Sequence, residues 1–429
     1  MAGRGDGRAA IGHGRPAMNQ LDTSTAFQAE NNAPIGFAEF VALVAALMAL
    51  TALGIDSMLP ALPAIGASTH VATENERQFI ISSFLIGFGI AQLLHGPLAD
   101  RYGRKPVLTV ALAGYVVANI VAALSASFPL LLIARFAGGV AIAASRVVTV
   151  ALVRDCFSGR SMARVMSLAF MVFMAAPIFA PVMGSTVLLI GSWRLIFWTI
   201  AVISALVLVW FWVRMPETLA PERRIPLSLA RLLSGVGETL TDRSSLGYTL
   251  ATTVLVGALY GFINSVQQIV FDYLKRPDLL IPIFISIAGT MAVTNLANSR
   301  IVLRFGMRKI SHSALVGLFV IASTHLLWLL SGHETIISFA ILQALTMASF
   351  ALANSNFSAM AMENMGRIAG TASSVQGFVS VTTGTIIGAL IGQSFNGTPA
   401  PLFAGNVIAA LTAFTIVAIT ERGRLFRAH

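Results

Sequence analysis

Charge is the scarcest commodity in this sequence. Only 11% of its 429 residues are Asp, Glu, Lys or Arg, against about a quarter in ordinary soluble domains. Hydrophobic residues make up 56% and the mean hydropathy is +0.81, so there is too little polar side chain to cover a soluble core. Cysteine is almost missing too: the one present, Cys156, cannot close a disulfide within the chain, and no role is assigned to it. There is no Gly-x-x-x-x-Gly-Lys phosphate loop, no His-Glu-x-x-His and no cysteine cluster, and the seven histidines are scattered. An ATP-driven pump and a metalloenzyme therefore have nothing to stand on; no enzyme activity, metal or cofactor is expected. Acids are rarer than bases, 18 against 28, for a net charge of +10. Such an excess raises the question of nucleic acid, but no basic block with interleaved aromatics occurs, and the bases sit in short gaps between apolar runs. No nucleic-acid partner is expected.

What the sequence has in abundance is apolar runs. Twelve follow one another near 37–60, 77–98, 107–125, 129–152, 165–190, 194–213, 246–270, 280–302, 310–330, 335–358, 369–393 and 401–420, each about long enough to cross hydrocarbon as a helix. With the amino terminus inside, the cytoplasmic segments collect 22 of the 28 Lys and Arg, while Arg77, Arg194, Lys275 and Arg276 fall outside and Arg135 and Arg146 fall within span 4. That bias places both termini in the cytoplasm. Residues 1–36 lack an apolar core ahead of a small-residue cleavage site and do not read as a signal peptide; they are expected to be disordered, and Met18 is a candidate start. The stretch 214–245, with Pro216, Pro221 and Pro226, is the longest break. It is read as the cytoplasmic linker between a bundle at 37–213 and a second at 246–420, followed by a tail at 421–429. Within it, residues 227–241 fit either an amphipathic helix on the membrane surface or a solvated linker.

Between the second and third runs stands Gly96-Pro-Leu-Ala-Asp-Arg-Tyr-Gly-Arg-Lys105, read as a tight loop at a membrane face because Gly96 and Gly103 permit unusual backbone and Arg101, Arg104 and Lys105 favour the cytoplasmic side. This pattern resembles the loop between spans 2 and 3 of the major facilitator superfamily of secondary transporters. A weak repeat supports two halves: Arg101-Tyr-Gly-Arg-Lys aligns with Arg304-Phe-Gly-Met-Arg at an offset of 203, with Leu303 where Asp100 stands. Further stretches are similar to the Bcr/CflA-type drug:proton antiporters: Asp56-Ser-Met-Leu-Pro-Ala-Leu-Pro63, Arg154-Asp155, Ala176-Pro-x-x-Ala-Pro181, Trp193-Arg194 and Pro216-Glu-Thr-Leu-Ala-Pro-Glu-Arg-Arg224. Span 5 departs by losing glycines, and Asp56 is followed by Ser57 and Met58 where that family more often has Met and Tyr. The resemblance implies an all-α, twelve-span protein of the bacterial inner membrane in two six-helix bundles. It also implies alternating access, with a substrate site between the bundles near the bilayer middle.

Among the acids, only Asp56 lies within the body of an apolar run. A charge near the bilayer centre costs roughly 2.5 to 3.5 kcal/mol on insertion scales, so such residues usually face a cavity and have a function; the alternative is that Asp56 reaches the outer interface, since Pro60 is close. Dry surroundings favour a neutral carboxyl and a nearby arginine a charged one, so Asp56 and a partner would switch protonation. Arg135, about 9 Å into span 4, resembles the family arginine tied to proton translocation and is the expected partner; carbonyl bonding is the plainer alternative. Arg146 falls eleven residues on, deeper on the same face. Tyr260, Asn264 and Gln268 share one face of span 7, with Gln267 beside it, and read equally as cavity lining or as helix-to-helix hydrogen bonding. Asn354, with Asn356 nearby, and Gln376 are weaker cavity candidates. Met171, Phe173 and Met174 fit a pliable pocket or plain packing.

Within the stretch between spans 2 and 3, the resemblance implies a conformational latch of Gly96, Asp100, Arg101, Gly103 and Arg104, with Asp100 set against the start of span 11 near Gly370 and Thr371 and against Arg154. The function expected is proton-driven efflux of small amphipathic drug-like molecules by a monomer, with protons, the substrate and the lipid bilayer as its partners. A transporter of one metabolite and a membrane sensor that transports nothing are the rival readings.

Overall fold

The computed structural model describes residue 3 and residues 33–426. Of the tail expected to be disordered, residues 1–2 and 4–32, with the candidate start Met18, lie outside the described residues, as do the side chains of Ala163, Phe170, Phe173, Met174, Leu229 and Arg231. Twelve long helices follow in chain order: α1 (Phe37–Asp56), α2 (Phe79–Tyr102), α3 (Arg104–Leu124), α4 (Phe128–Cys156), α5 (Gly159–Ile190), α6 (Arg194–Arg214), α7 (Arg243–Gln268), α8 (Leu280–Phe305), α9 (Met307–Leu330), α10 (Ile336–Ala361), α11 (Ala369–Gln393) and α12 (Ala400–Thr420). Among the described residues eleven segments are long and apolar enough to cross a membrane, and α5, with its apolar stretch Ala175–Ile190, completes the twelve. No strand occurs among the described residues. Where polar residues flank the apolar runs they also set helix starts: the Asp242 carboxylate accepts the Ser245 N–H at 2.7 Å, and Thr335 and Ser338 cap each other ahead of α10.

One expectation needs correction. Gly96–Lys105 is not a loop. Helix α2 runs through Pro97 to Tyr102 and α3 resumes at Arg104, so a single residue, Gly103, makes the turn at φ 104°, ψ 159°. A side chain is strongly disfavoured at that dihedral. Its counterpart under the offset of 203, Gly306, makes the same one-residue break between α8 and α9 at φ 76°.

Helices α1–α6 pack on one another and so do α7–α12, giving two six-helix bundles. They meet along α2 against α11 and along α5 against α8. Exchanging each helix for its counterpart in the other bundle, α2 for α8 and α11 for α5, turns one pair into the other, as an internal two-fold repeat requires. Close crossings use glycine: a methyl on Gly87 would overlap the Phe136 carbonyl, and one on Gly139 the Phe84 carbonyl, so α2 and α4 touch backbone to backbone. Across the bundles, Gly89 lies against Thr382, Gly377 against Gln92 and Gly96 against Ser374.

Between the bundles a 13-residue helix, Leu229–Thr241, lies within the expected amphipathic stretch. Its Gly235 packs on Thr371 at the start of α11, and Glu238 pairs with Arg367 at 2.7 Å.

Candidate functional site

Asp56 ends α1, 4% exposed, and its Oδ1 has no hydrogen-bond partner among the described residues. The next residue, Ser57, turns the chain by donating its hydroxyl to the Leu53 carbonyl at 2.5 Å. Gly184 of α5 sits directly on the Ser57 carbonyl, where a methyl would overlap it. The glycine that survives in the span 5 motif therefore shapes the wall beside Asp56.

Arg135 is close by but is not paired with Asp56. Its guanidinium donates from Nη2 to the Gly54 carbonyl at 2.7 Å and from Nε to the Ile80 carbonyl at 3.2 Å, and its Cζ lies 4.2 Å from the centre of the Phe84 ring. Two carbonyls and an aromatic face satisfy the charge at 2% exposure. The expected ion pair is corrected to a brace that ties α4 to α1 and α2, two residues short of the carboxyl.

The other candidates separate into groups. Arg146, ten residues in from the end of α4, is exposed and forms no ion pair or hydrogen bond among the described residues. Tyr260 of α7, half-buried, makes no hydrogen bond among them and lies within electrostatic range of both Arg146 and Asp56. Gln376 is instead spent inside the second bundle, on the Ser245 hydroxyl at 3.1 Å and the Ala361 carbonyl at 3.0 Å. Asn356 likewise donates to Asn298 Oδ1 at 3.1 Å. Asn354 is half-buried, and its Oδ1 has no partner among the described residues. Met171 is 65% exposed.

Asn264 and Gln268 belong to an amide cluster at the end of the bundles far from the chain termini. Gln78 donates to Gln268 and, at 3.0 Å, to the Gly392 carbonyl; Gln268 donates to Asn75 Oδ1 at 2.8 Å, and Gln393 to the Asn75 carbonyl at 2.7 Å. Asn75 returns bonds to the carbonyls of Gln393 and Phe395, and Asn264 reaches Ser82 at 3.5 Å. Gln267 beside them is buried with its Nε2 unpartnered. Side-chain hydrogen bonds between the two bundles gather at this end. Charges lie beside it: Arg77 pairs with Glu74 at 3.0 Å and stands 3.9 Å from Asp272. Sequence reasoning found only the α7 half, because nothing in a lone Asn75, Gln78 or Gln393 announces a partner some two to three hundred residues away.

At the opposite end, which carries the described chain termini, three motifs converge. Arg104 bonds Asp100 at 2.5 Å and Asp155 at 3.0 Å. Glu217 accepts the N–H groups of Arg104 and Lys105 at 2.9 and 3.2 Å, and those of Thr218 and Leu219 at 2.9 Å. Its carboxylate thus caps the exposed start of α3. The expected partner for Asp100 was Arg154; the structure uses Arg104 instead, because Arg154 is exposed and makes no ion pair among the described residues. Nor does the start of α11 meet Asp100, for the Leu229–Thr241 helix occupies that end. Arg101 is exposed over Tyr102, and Gly96 faces Ser374.

The second bundle, lacking the acid at Leu303, recruits one from beyond α12. Glu421 accepts from Tyr248 and, at 3.0 Å, from Arg308, which also reaches Glu363 at 3.4 Å. Burial works against its charge, but the Tyr248 and Arg308 bonds outweigh burial and hold the carboxyl below its ordinary range.

Comparison with known proteins agrees with this architecture. The model of the Major Facilitator Superfamily matches residues 44–392. The uncharacterized MFS-type transporter YdgK of Bacillus subtilis (strain 168) is 30% identical over 82% of this chain and 87% of its own length. A bicyclomycin resistance protein homolog of Haemophilus influenzae is 29% identical over 89% of this chain and 96% of its own. Multidrug resistance protein MdtL of Shigella dysenteriae serotype 1 is 33% identical over 51% of this chain and 55% of its own. Among solved structures, a D-xylose-proton symporter superposes with a TM-score of 0.68 at 15% identity, over 91% of this chain and all of that one. The human organic anion transporter MFSD10 gives 0.67 at 18%, over 89% of this chain and all of that one. At those identities the two structures speak to the fold alone.

Proposed function

The chain belongs to the Major Facilitator Superfamily of transporters, and from that premise we propose that it exports small amphipathic, drug-like molecules across the bacterial inner membrane in exchange for protons. The observation that carries the coupling is Asp56: a carboxyl buried at the end of α1, with one oxygen unpartnered and no arginine spent on it. Such a group takes up a proton when its surroundings are dry and releases it when water reaches it. Arg135 acts as a positioning residue, fixing the backbone at Gly54 and so the place of Asp56. The drug-resistance names of the relatives from Haemophilus and Shigella support export as the direction.

Both termini are assigned to the cytoplasm, so the amide cluster lies on the outer side and ties the bundles together there. Alternation then consists of breaking the Gln78–Gln268 cluster while the bundles rock about α2–α11 and α5–α8. Residues 37–213 and 246–420 are the moving bodies, joined by 214–245.

A pH-gradient assay in inverted vesicles tests this reading. Drug-induced proton release is expected from the wild type and absent from Asp56→Asn at equal expression. Normal release from the mutant would remove Asp56 from the coupling.

A further inference from the structure

We infer that the cargo carries an acidic group, a carboxylate or sulfonate, that docks on Arg146, so that this carrier selects amphipathic anions or zwitterions over cations. The inference rests on the efflux reading above and names the substrate class of that same site.

Arg146 stands ten residues from the end of α4, about 15 Å along the helix. That places it deep in the membrane, level with α1: its neighbour Ser145 donates to the Leu47 carbonyl near the middle of that helix. An arginine facing lipid at such depth is costly, and its surroundings argue against lipid. Helix α4 packs against α1, α2 and α3 on its other sides, whereas Arg146 is within electrostatic reach of Tyr260 on α7 of the other bundle.

The contrast with Arg135 matters. One arginine of the stripe is fully used by two carbonyls and an aromatic ring; the other is exposed and lacks any hydrogen bond or ion pair among the described residues. Asp56 is the acid that also reaches Tyr260, yet it is buried and makes no ion pair with Arg146. An exposed, unneutralised guanidinium at membrane depth raises the positive potential around it. It offers a planar fork that matches a carboxylate or sulfonate. The Tyr260 hydroxyl, itself without a hydrogen-bond partner among the described residues, is placed to donate to the same group. A cationic ligand would meet repulsion from Arg146, while the acid on that side, Asp56, is buried.

Binding to the purified full-length chain in phosphatidylcholine nanodiscs tests this without transport. Fluorescein serves as the amphipathic anion and ethidium as the cation, both read by fluorescence polarisation. The expected result is saturable fluorescein binding that weakens at least about tenfold in Arg146→Gln, the loss of a charged hydrogen bond, and less in Arg146→Lys. Ethidium should bind more weakly than fluorescein and gain, if anything, from Arg146→Gln. Equal fluorescein binding by wild type and Arg146→Gln, or tighter binding of ethidium than of fluorescein by the wild type, overturns the inference. Asp56→Asn separates the two readings: if that variant keeps normal drug-induced proton release while fluorescein binding still depends on Arg146, the anion site stands and the proton-exchange reading falls.

Discussion

The carboxylate of Glu217 occupies the space that a side chain on Gly103 would fill. Two stretches separated by more than a hundred residues are thereby locked: the one-residue turn between α2 and α3 leaves N–H groups exposed, and the acid following α6 closes them. Gly103→Ala meets both obstacles, a dihedral that costs about 1–3 kcal/mol for other residues and a clash with the acid. It should lower thermal stability more than Glu217→Gln, which keeps the shape but weakens the cap. Melting curves of the two purified variants check the order, and a Gly103→Ala protein as stable as wild type would contradict it.

Arg135→Lys should destabilise the first bundle, since one ammonium cannot span the Gly54 and Ile80 carbonyls and lie flat on Phe84. Leaving a buried carbonyl unpaired costs on the order of 1–3 kcal/mol, and Arg135→Ala, which leaves both, should lose more. If instead both variants melt like the wild type yet fail to transport, Arg135 acts directly in coupling and not as a brace.

At the amide cluster, Gln78→Ala removes the bonds to Gln268 and Gly392. The outer end should then open more often. A cysteine placed at Ser82, in a chain with Cys156 replaced, should react several-fold faster with an impermeant maleimide applied from outside. Unchanged labelling would mean that helix packing alone holds this end shut.

Glu421 provides a pH prediction. Its folded pKa is depressed, so its contribution is present above the ordinary glutamate value of about 4.3 and is lost as pH falls through the lower folded value. The wild-type melting temperature should drop over that acidic window by more than that of Glu421→Gln, with the two curves running parallel near neutrality. Parallel curves throughout would show that the Tyr248–Glu421–Arg308 bonds add nothing.

Much of the fold was legible in the sequence. Span length is set by hydrocarbon thickness, so twelve apolar runs fixed twelve helices to within a few residues at most ends, and the paired glycines Gly103 and Gly306 marked equivalent breaks because each needs a positive φ. The repeat offset and the excess of Lys and Arg in alternate gaps are likewise properties of the linear chain. Polar partnerships are different. Whether Arg135 meets a carboxylate or a carbonyl depends on where Gly54 and Ile80 fall on two other helices, and Asp100 finds Arg104 across the one-residue turn at Gly103, not Arg154. Gln78 and Gln268, 190 residues apart, were two ordinary amides until packing set them face to face. Arg146 stands out only because tertiary structure satisfied its neighbour on the stripe and left it alone. A side chain's residue type states what it can bind; only the packing of helices distant in sequence decides which groups come within 3 Å and which remain open for a ligand.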